Sequence, residues 1–154
     1  LRALREASIA AVPAGCDYLI ANLPPEEEFA EWQRVVDLTL ELLPQGAKVA
    51  IVARNPAELR HAASRQIDWL ISAWPIKAGL AGKALVKGEV VNLRHQEAAD
   101  DFAPLQADCP CPACAGYQRA TLHQLLHERV PLGGELLALH NLTQLARRLA
   151  EEAC

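Results

Sequence analysis

Three cysteines within six residues, Cys109-Pro-Cys111-Pro-Ala-Cys114, constrain this chain more than any other feature. Neighbours this close cannot pair as disulfides without strain. Thiolates spaced C-x-C-x-x-C can instead wrap one zinc ion from a tight loop, and the prolines lower the entropy lost on closing it. Zinc needs a fourth ligand. His123 and His127 lie four apart on one helical face, and His140 lies on a returning helix. A symmetric helical hairpin turning near Pro131 sets His140 opposite residue 123, more than two turns from Cys114, so the loop must fold back for His140 to reach an ion. Spacing alone therefore leaves His140, His123 or no histidine open as the fourth ligand, with an iron–sulfur cluster as a weaker alternative. Three thiolates plus a histidine leave no position for water, so the site reads as structural. Zinc in such a site contributes on the order of 10 kcal/mol to folding, comparable with a whole domain's net stability.

The remaining cysteines fit that setting. Cys16 precedes an apolar run and reads as a small buried hydrophobe, and Cys154 is terminal. An odd count of five, with no charged-then-apolar leader, reads as cytoplasmic thiols. No apolar run approaches the roughly 18 residues of a membrane span. The chain has no methionine and starts at Leu1, which reads as a processed or truncated product.

Upstream of the cysteines the pattern alternates. A helix is predicted over 2–12, a strand over 17–23, a helix over 26–43, a strand over 48–53, a helix from Asn55 or Pro56 to about 65, and a strand over 67–74. Asn55 suits the N-cap and Pro56 the first helical position. Short strands apolar on both faces, alternating with helices, indicate a parallel sheet. Three such units cannot close an eight-stranded barrel, and they leave sheet edges for a partner or further barrel strands to cover. Beyond Pro75 the pattern changes to a hairpin about Lys87-Gly88, a polar loop, the cysteines, and helices over 117–128 and 132–151 separated near Pro131 and Gly133-Gly134.

The net charge is −4, with −5 in residues 1–47 and +1 in residues 75–100. Bulk charge therefore argues against non-specific nucleic-acid binding. A mildly basic strip, Lys77, Lys83, Lys87 and Arg94, reads as a solvated hairpin face, with an RNA-facing strip as the alternative.

Residues 92–142 carry a series of motifs in order: Asn92-Leu93-Arg94, Ala99-Asp100-Asp101-Phe102, the cysteine cluster, Tyr117-x-Arg119-Ala120-x-Leu122-His123, Leu132-Gly133 and His140-Asn141-Leu142. This series resembles the tRNA-guanine transglycosylase (queuine tRNA-ribosyltransferase) family, and the likeness extends more weakly upstream through Pro75, Asp68, Leu59 and Pro56. It covers the C-terminal half of a family member. The resemblance implies an α/β fold: the C-terminal portion of a (β/α)8 barrel (three parallel βα units, residues 1–81) followed by a β-hairpin and a helical zinc-binding subdomain (82–154). It implies Zn2+ on Cys109, Cys111, Cys114 and His140, with His123 left to helix packing. It also implies exchange of an anticodon guanine in tRNA, and oligomerisation through the zinc subdomain.

The likeness breaks at the reacting centre. The family's nucleophile is the second aspartate of a G-x-D-x-F-D-x-x-x-P-T-R motif, and the position here holds Ile71. The first aspartate survives as Asp68, but in a strand it points to the opposite face from Ile71. A hydrocarbon cannot attack ribose C1′. The Gly-Gly-Leu of the base pocket is Ala21-Asn22-Leu23, and two tRNA-holding arginines are Lys77 and Leu80. Leu23 and Lys77 remain as the substrate-side positions, and no residue qualifies as catalytic. The reading is a non-catalytic, transglycosylase-like subunit or half-barrel that positions tRNA beside a missing N-terminal half or a catalytic subunit. The alternatives are an active, divergent ribosyltransferase and a zinc-stabilised interaction module.

Overall fold

A computed structural model describes residues 1–20, 28–65 and 67–152, which form two compact units, Leu1–Ser72 and Ala73–Cys154. The substrate-side position Leu23, the Ala21-Asn22 pair and Cys154 lie outside the described residues.

The first unit runs α1 (Arg2–Ala10), β1 (Tyr18–Ile20), α2 (Phe29–Leu42), β2 (Val49–Val52), α3 (Pro56–Ala63) and β3 (Trp69–Ile71). The strands pair in parallel in the order β1-β2-β3, with Leu19 beside Ala50 beside Trp69 and Val52 beside Ile71. α3 begins as its sequence demands: Asn55 accepts the Glu58 N–H at 2.9 Å, and Pro56 takes the first turn. α2 buries Trp32, Val35, Val36 and Thr39, a helical i, i+3, i+4, i+7 stripe. Trp32 and Val36 of this stripe, with Ala62, cover one face of the sheet, Ile20, Val49 and Ile51.

The other face departs from the expected two-sided burial. Leu19 is 59%, Trp69 45% and Ile71 48% exposed, and Ala50 and Val52 between them are half-buried. The strand period of two sorts every second residue onto this open side. Its composition is apolar because such a face is suited to being covered, although no element of the described unit covers it. Cys16, expected to be buried, is also exposed.

The second unit opens with α4 (Trp74–Leu80), a helix that the sequence pattern did not reveal. Pro75, beyond which the pattern was expected to change to a hairpin, occupies the first turn of this helix, where its missing N–H costs nothing. The hairpin β4 (Lys83–Val86) and β5 (Glu89–Asn92) comes next, turning on Lys87 (φ 49°) and Gly88 (φ 96°). Two positive φ values match the twist of the paired strands. A 3-10 turn (Gln96–Ala98), the short helix α5 (Pro112–Gly116), α6 (Arg119–His127) and α7 (Pro131–Glu152) complete the unit.

Pro131 and Gly133-Gly134 do not separate helices as expected: Pro131 opens α7 and both glycines lie inside it. Close packing explains them. A Cβ on Gly79 of α4 would come within 2.8 Å of the Leu137 carbonyl carbon and closer still to the Ala138 backbone. One on Gly134 would meet Leu80 Cα at 3.1 Å, and one on Gly133 would meet Leu125 of α6 at 3.0 Å. Small residues let α4 and α6 press their backbones against α7. Below them Ala84, Leu93, Leu105, Leu122, Leu126, Leu136 and Leu137 form one buried cluster that includes Cys109 and Cys111.

Candidate metal centre

Two residues of α7 anchor the second unit. His140 and Asn141 are adjacent and fully buried, and both engage Leu85 of β4. The Leu85 N–H and C=O point away from β5, which leaves them to be satisfied by α7. Asn141 Oδ1 accepts the Leu85 N–H at 2.7 Å, and its Nδ2 donates to the carbonyls of Pro75 (3.1 Å) and Lys83 (3.0 Å). His140 Nε2 lies 3.0 Å from the Leu85 carbonyl oxygen. A carbonyl only accepts, so Nε2 carries the proton and the Nδ1 lone pair faces the other way.

Three sulfurs converge on that lone pair. Cys114, Cys111 and Cys109 Sγ stand 3.3, 3.5 and 3.7 Å from His140 Nδ1, and the four ligand atoms all lie within 4.8 Å of one another. A single lone pair accepts one hydrogen bond, so three thiols crowding it need another explanation. Zn–S of about 2.3 Å and Zn–N of about 2.05 Å at tetrahedral angles place sulfur and nitrogen about 3.6 Å apart. The observed spacings bracket that value. The donor set, its dimensions and the histidine tautomer all fit a tetrahedral metal ion, and the group could hold one.

The backbone is arranged for the same end. Cys111 caps α5, its Sγ 3.4 Å from the Cys114 N–H, with Pro112 next in the helix. Burial pushes the Cys111 thiol above its ordinary range, and it pushes Cys114 up to about 12 against the Gln106 N–H that favours the thiolate. Cys109 is also penalised by burial, but the Cys111 N–H and the side chains of Cys111, Gln144 and Cys114 outweigh it and leave this thiol below the ordinary range. Burial holds His140 below its usual value, so it stays neutral. A dication among these groups reverses the penalty on the thiolates.

Side chains on the neighbouring elements hold the cysteine loop in place. Arg119 of α6 pairs with Asp101 at 3.0 Å and donates to the Leu105 carbonyl at 2.8 Å. Arg147 of α7 donates to the Asp108 carbonyl at 3.0 Å, one residue before Cys109. Arg94 spans the carbonyls of Ala81 and Leu126 at 3.2 and 3.0 Å, which removes it from the basic strip as a free cation. His123 is buried apart from the sulfurs, its Nδ1 2.8 Å from the Leu93 carbonyl oxygen. Lys77, Lys83 and Lys87 are exposed.

In the first unit Asp68 immediately precedes β3, its Oδ2 accepting the Val49 N–H at 2.8 Å. Ile71 ends that strand, on the open face. Asn141, Gln106 and Gln144 support the sulfur cluster without having stood out in the sequence. Only Gln144 carried a signal, its position one turn after His140.

A family model described as queuine tRNA-ribosyltransferase matches residues 2–152. Among curated relatives, the queuine tRNA-ribosyltransferase of Rickettsia prowazekii (strain Madrid E) is 38% identical over 144 residues, covering 91% of this chain and 40% of the relative. That of Rickettsia typhi is 38% identical over 127 residues, covering 82% of this chain and 35% of the relative. The Rickettsia bellii protein is 36% identical over the same length. The chain thus spans two fifths or less of the length of these relatives.

Proposed function

Because the chain belongs to the queuine tRNA-ribosyltransferase family, we propose that it is a zinc-bearing, non-catalytic member acting in tRNA base modification, beside a polypeptide that supplies the catalytic carboxylate. The observation that carries this reading is Ile71. Base exchange on a ribose needs a nucleophile at C1′ and negative charge to match the cation that develops there. Ile71 stands at the nucleophile's place in the motif and at the carboxy-terminal end of β3, the end at which parallel α/β folds do their chemistry. The described strand side chains that share its face, Leu19, Ala50, Val52 and Trp69, carry no carboxylate, and Lys48, whose Nζ lies 5.7 Å from the Trp69 ring centroid, brings a cation there rather than a nucleophilic anion. Asp68 sits at the other end of the strand with its carboxylate committed to Val49.

The open apolar face supports the barrel reading. In a (β/α)8 barrel the helices lie outside and the opposite strand face fills the interior. One helix-covered face and one bare apolar face are what three such βα units present, here residues 1–81, with the hairpin and zinc subdomain in 82–154. Zinc on Cys109, Cys111, Cys114 and His140 supplies folding energy rather than chemistry, because four protein ligands leave no place for water. We assign Lys77, exposed on α4, and Leu23 to the tRNA side, the zinc subdomain to oligomer contacts, and the cytoplasm as the working compartment. Among the described residues no helix is long and apolar enough to cross a membrane.

The test is base exchange with labelled guanine on tRNA, using the purified chain. No incorporation above buffer is expected, together with salt-sensitive tRNA binding in a gel-shift titration. Turnover that disappears in Asp68→Asn, which keeps an oxygen for the Val49 N–H, overturns the non-catalytic reading. Failure to bind tRNA leaves a zinc-stabilised interaction module in its place.

A further inference from the structure

One turn beyond His140 on α7, Gln144 is 5% exposed, and its Nε2 has no partner within ordinary hydrogen-bond reach. Buried amide donors in native cores nearly always find an acceptor, so an orphan here needs an explanation. Residues four apart share a helix face, which places Gln144 beside the corner of the sulfur cluster that His140 occupies. Of the cluster's sulfurs, Cys109 is the one whose thiolate form the Gln144 side chain favours.

A neutral thiol accepts hydrogen bonds weakly, and a charged sulfur accepts them well. Three thiolates and a neutral imidazole around a dication also leave one net negative charge in a buried pocket, which N–H donors disperse. The backbone supplies one such donor directly, the Cys114 N–H 3.4 Å from Cys111 Sγ, and the Cys111 and Gln106 N–H groups favour the thiolate forms of Cys109 and Cys114. Gln144 adds a buried, unpartnered side-chain donor on the face of α7 that carries His140 into the cluster.

We propose that Gln144 is a positioning residue of the metal centre, its Nε2–H donating to Cys109 Sγ once that sulfur carries the thiolate charge. The bond fixes the Cys109 rotamer and lowers the sulfur's basicity, and it accounts for a polar side chain at a buried helix position. Partners of this kind behind the ligands typically change metal retention by about 10–100-fold when removed.

The proposal rests on the metal reading, and its test separates the two. In the full chain loaded with 113Cd, the through-bond coupling from cadmium across Cys109 Sγ to a Gln144 side-chain amide proton is expected in the NMR spectrum. Gln144→Met, similar in length and without a donor, is expected to keep one Co2+, shift its sulfur-to-cobalt charge-transfer bands, and release Zn2+ to a chelator about tenfold faster. If the methionine variant fails to fold, the cadmium coupling in the unsubstituted chain decides. Bound cadmium without that coupling, or a folded variant with unchanged bands and release rate, overturns the role of Gln144 alone. A chain that binds no cadmium overturns the metal centre and this proposal together.

Discussion

The two units of this chain solve the same problem, burying apolar side chains around few strands, in opposite ways. Residues 73–152 are knit together by polar contacts at their centre, although Ile76, Leu80, Leu139 and Leu142 of α4 and α7 stay exposed. Asn141 satisfies three backbone groups, Arg94 and Arg119 span loop and helix carbonyls, and three sulfurs and an imidazole meet at one point. Residues 1–72 are half-finished by comparison: helices cover one face of a three-stranded sheet, and Leu19, Trp69 and Ile71 are bare on the other. A small unit becomes self-sufficient when polar networks and a metal add to a modest core. A sheet with one apolar face uncovered lacks that completion, and its composition marks the face for cover.

The contrast has measurable consequences. Removing the metal with a chelator, or one sulfur with Cys111→Ser, is expected to have the largest effect, on the order of 10 kcal/mol of apparent stability in the second unit. Hydrogen exchange read by residue should show protection collapsing in β4, β5, α6 and α7 while β1–β3 keep theirs. Equal loss in both units would abolish the distinction. Next in size is a pair of substitutions within the first unit. Ile51→Ala, on the covered face at 0% exposure, should cost about 2–5 kcal/mol in a denaturant titration. Ile71→Ala, on the bare face, should cost less than about 1 kcal/mol. Similar costs would mean that something already covers Ile71.

The third effect is confined to the second unit and depends on pH. Cys111 and Cys114 hold their protons above the ordinary thiol value of 9.0, so at neutral pH metal entry must displace at least those two. Affinity then falls as pH falls, by at least about 100-fold per pH unit between about 7 and 6. His140 adds little to this fall, because its lowered pKa keeps it neutral until lower pH. Competition with a chromophoric chelator at several pH values measures the slope. A slope of one proton or fewer would place preformed thiolates in the loop.

Much of this was legible from local pattern. The alternation predicted β1, α2, β2, α3 and β3 in a parallel sheet, because apolar periodicity and the Asn55-Pro56 start are local properties of the chain. The Lys87-Gly88 turn was legible for the same reason. α4 was hidden because proline both ends strands and opens helices, and only the packing of the residues after it decides between the two. The glycines of α7 looked like a break because their reason is tertiary: Gly134 meets Leu80 of α4, far away in sequence, and Gly133 meets Leu125 across the turn from α6. The bare face of the sheet was also beyond reach: alternation says which residues share a face, and not whether anything lies over it.

The sequence by itself determined the chemistry on offer: three thiols in a stiff loop, histidines on helices, and an isoleucine at the position that the proposed reading gives to the nucleophile. Residue identity is written in the chain, and identity alone decides what a side chain can ligate or attack. Spacing left His140 and His123 open and the family resemblance pointed to His140, but only the tertiary structure brings His140, and not His123, to the three sulfurs. That choice depends on where a 22-residue helix docks, and Leu85, Asn141 and the glycine contacts set that docking through bonds spanning more than fifty positions.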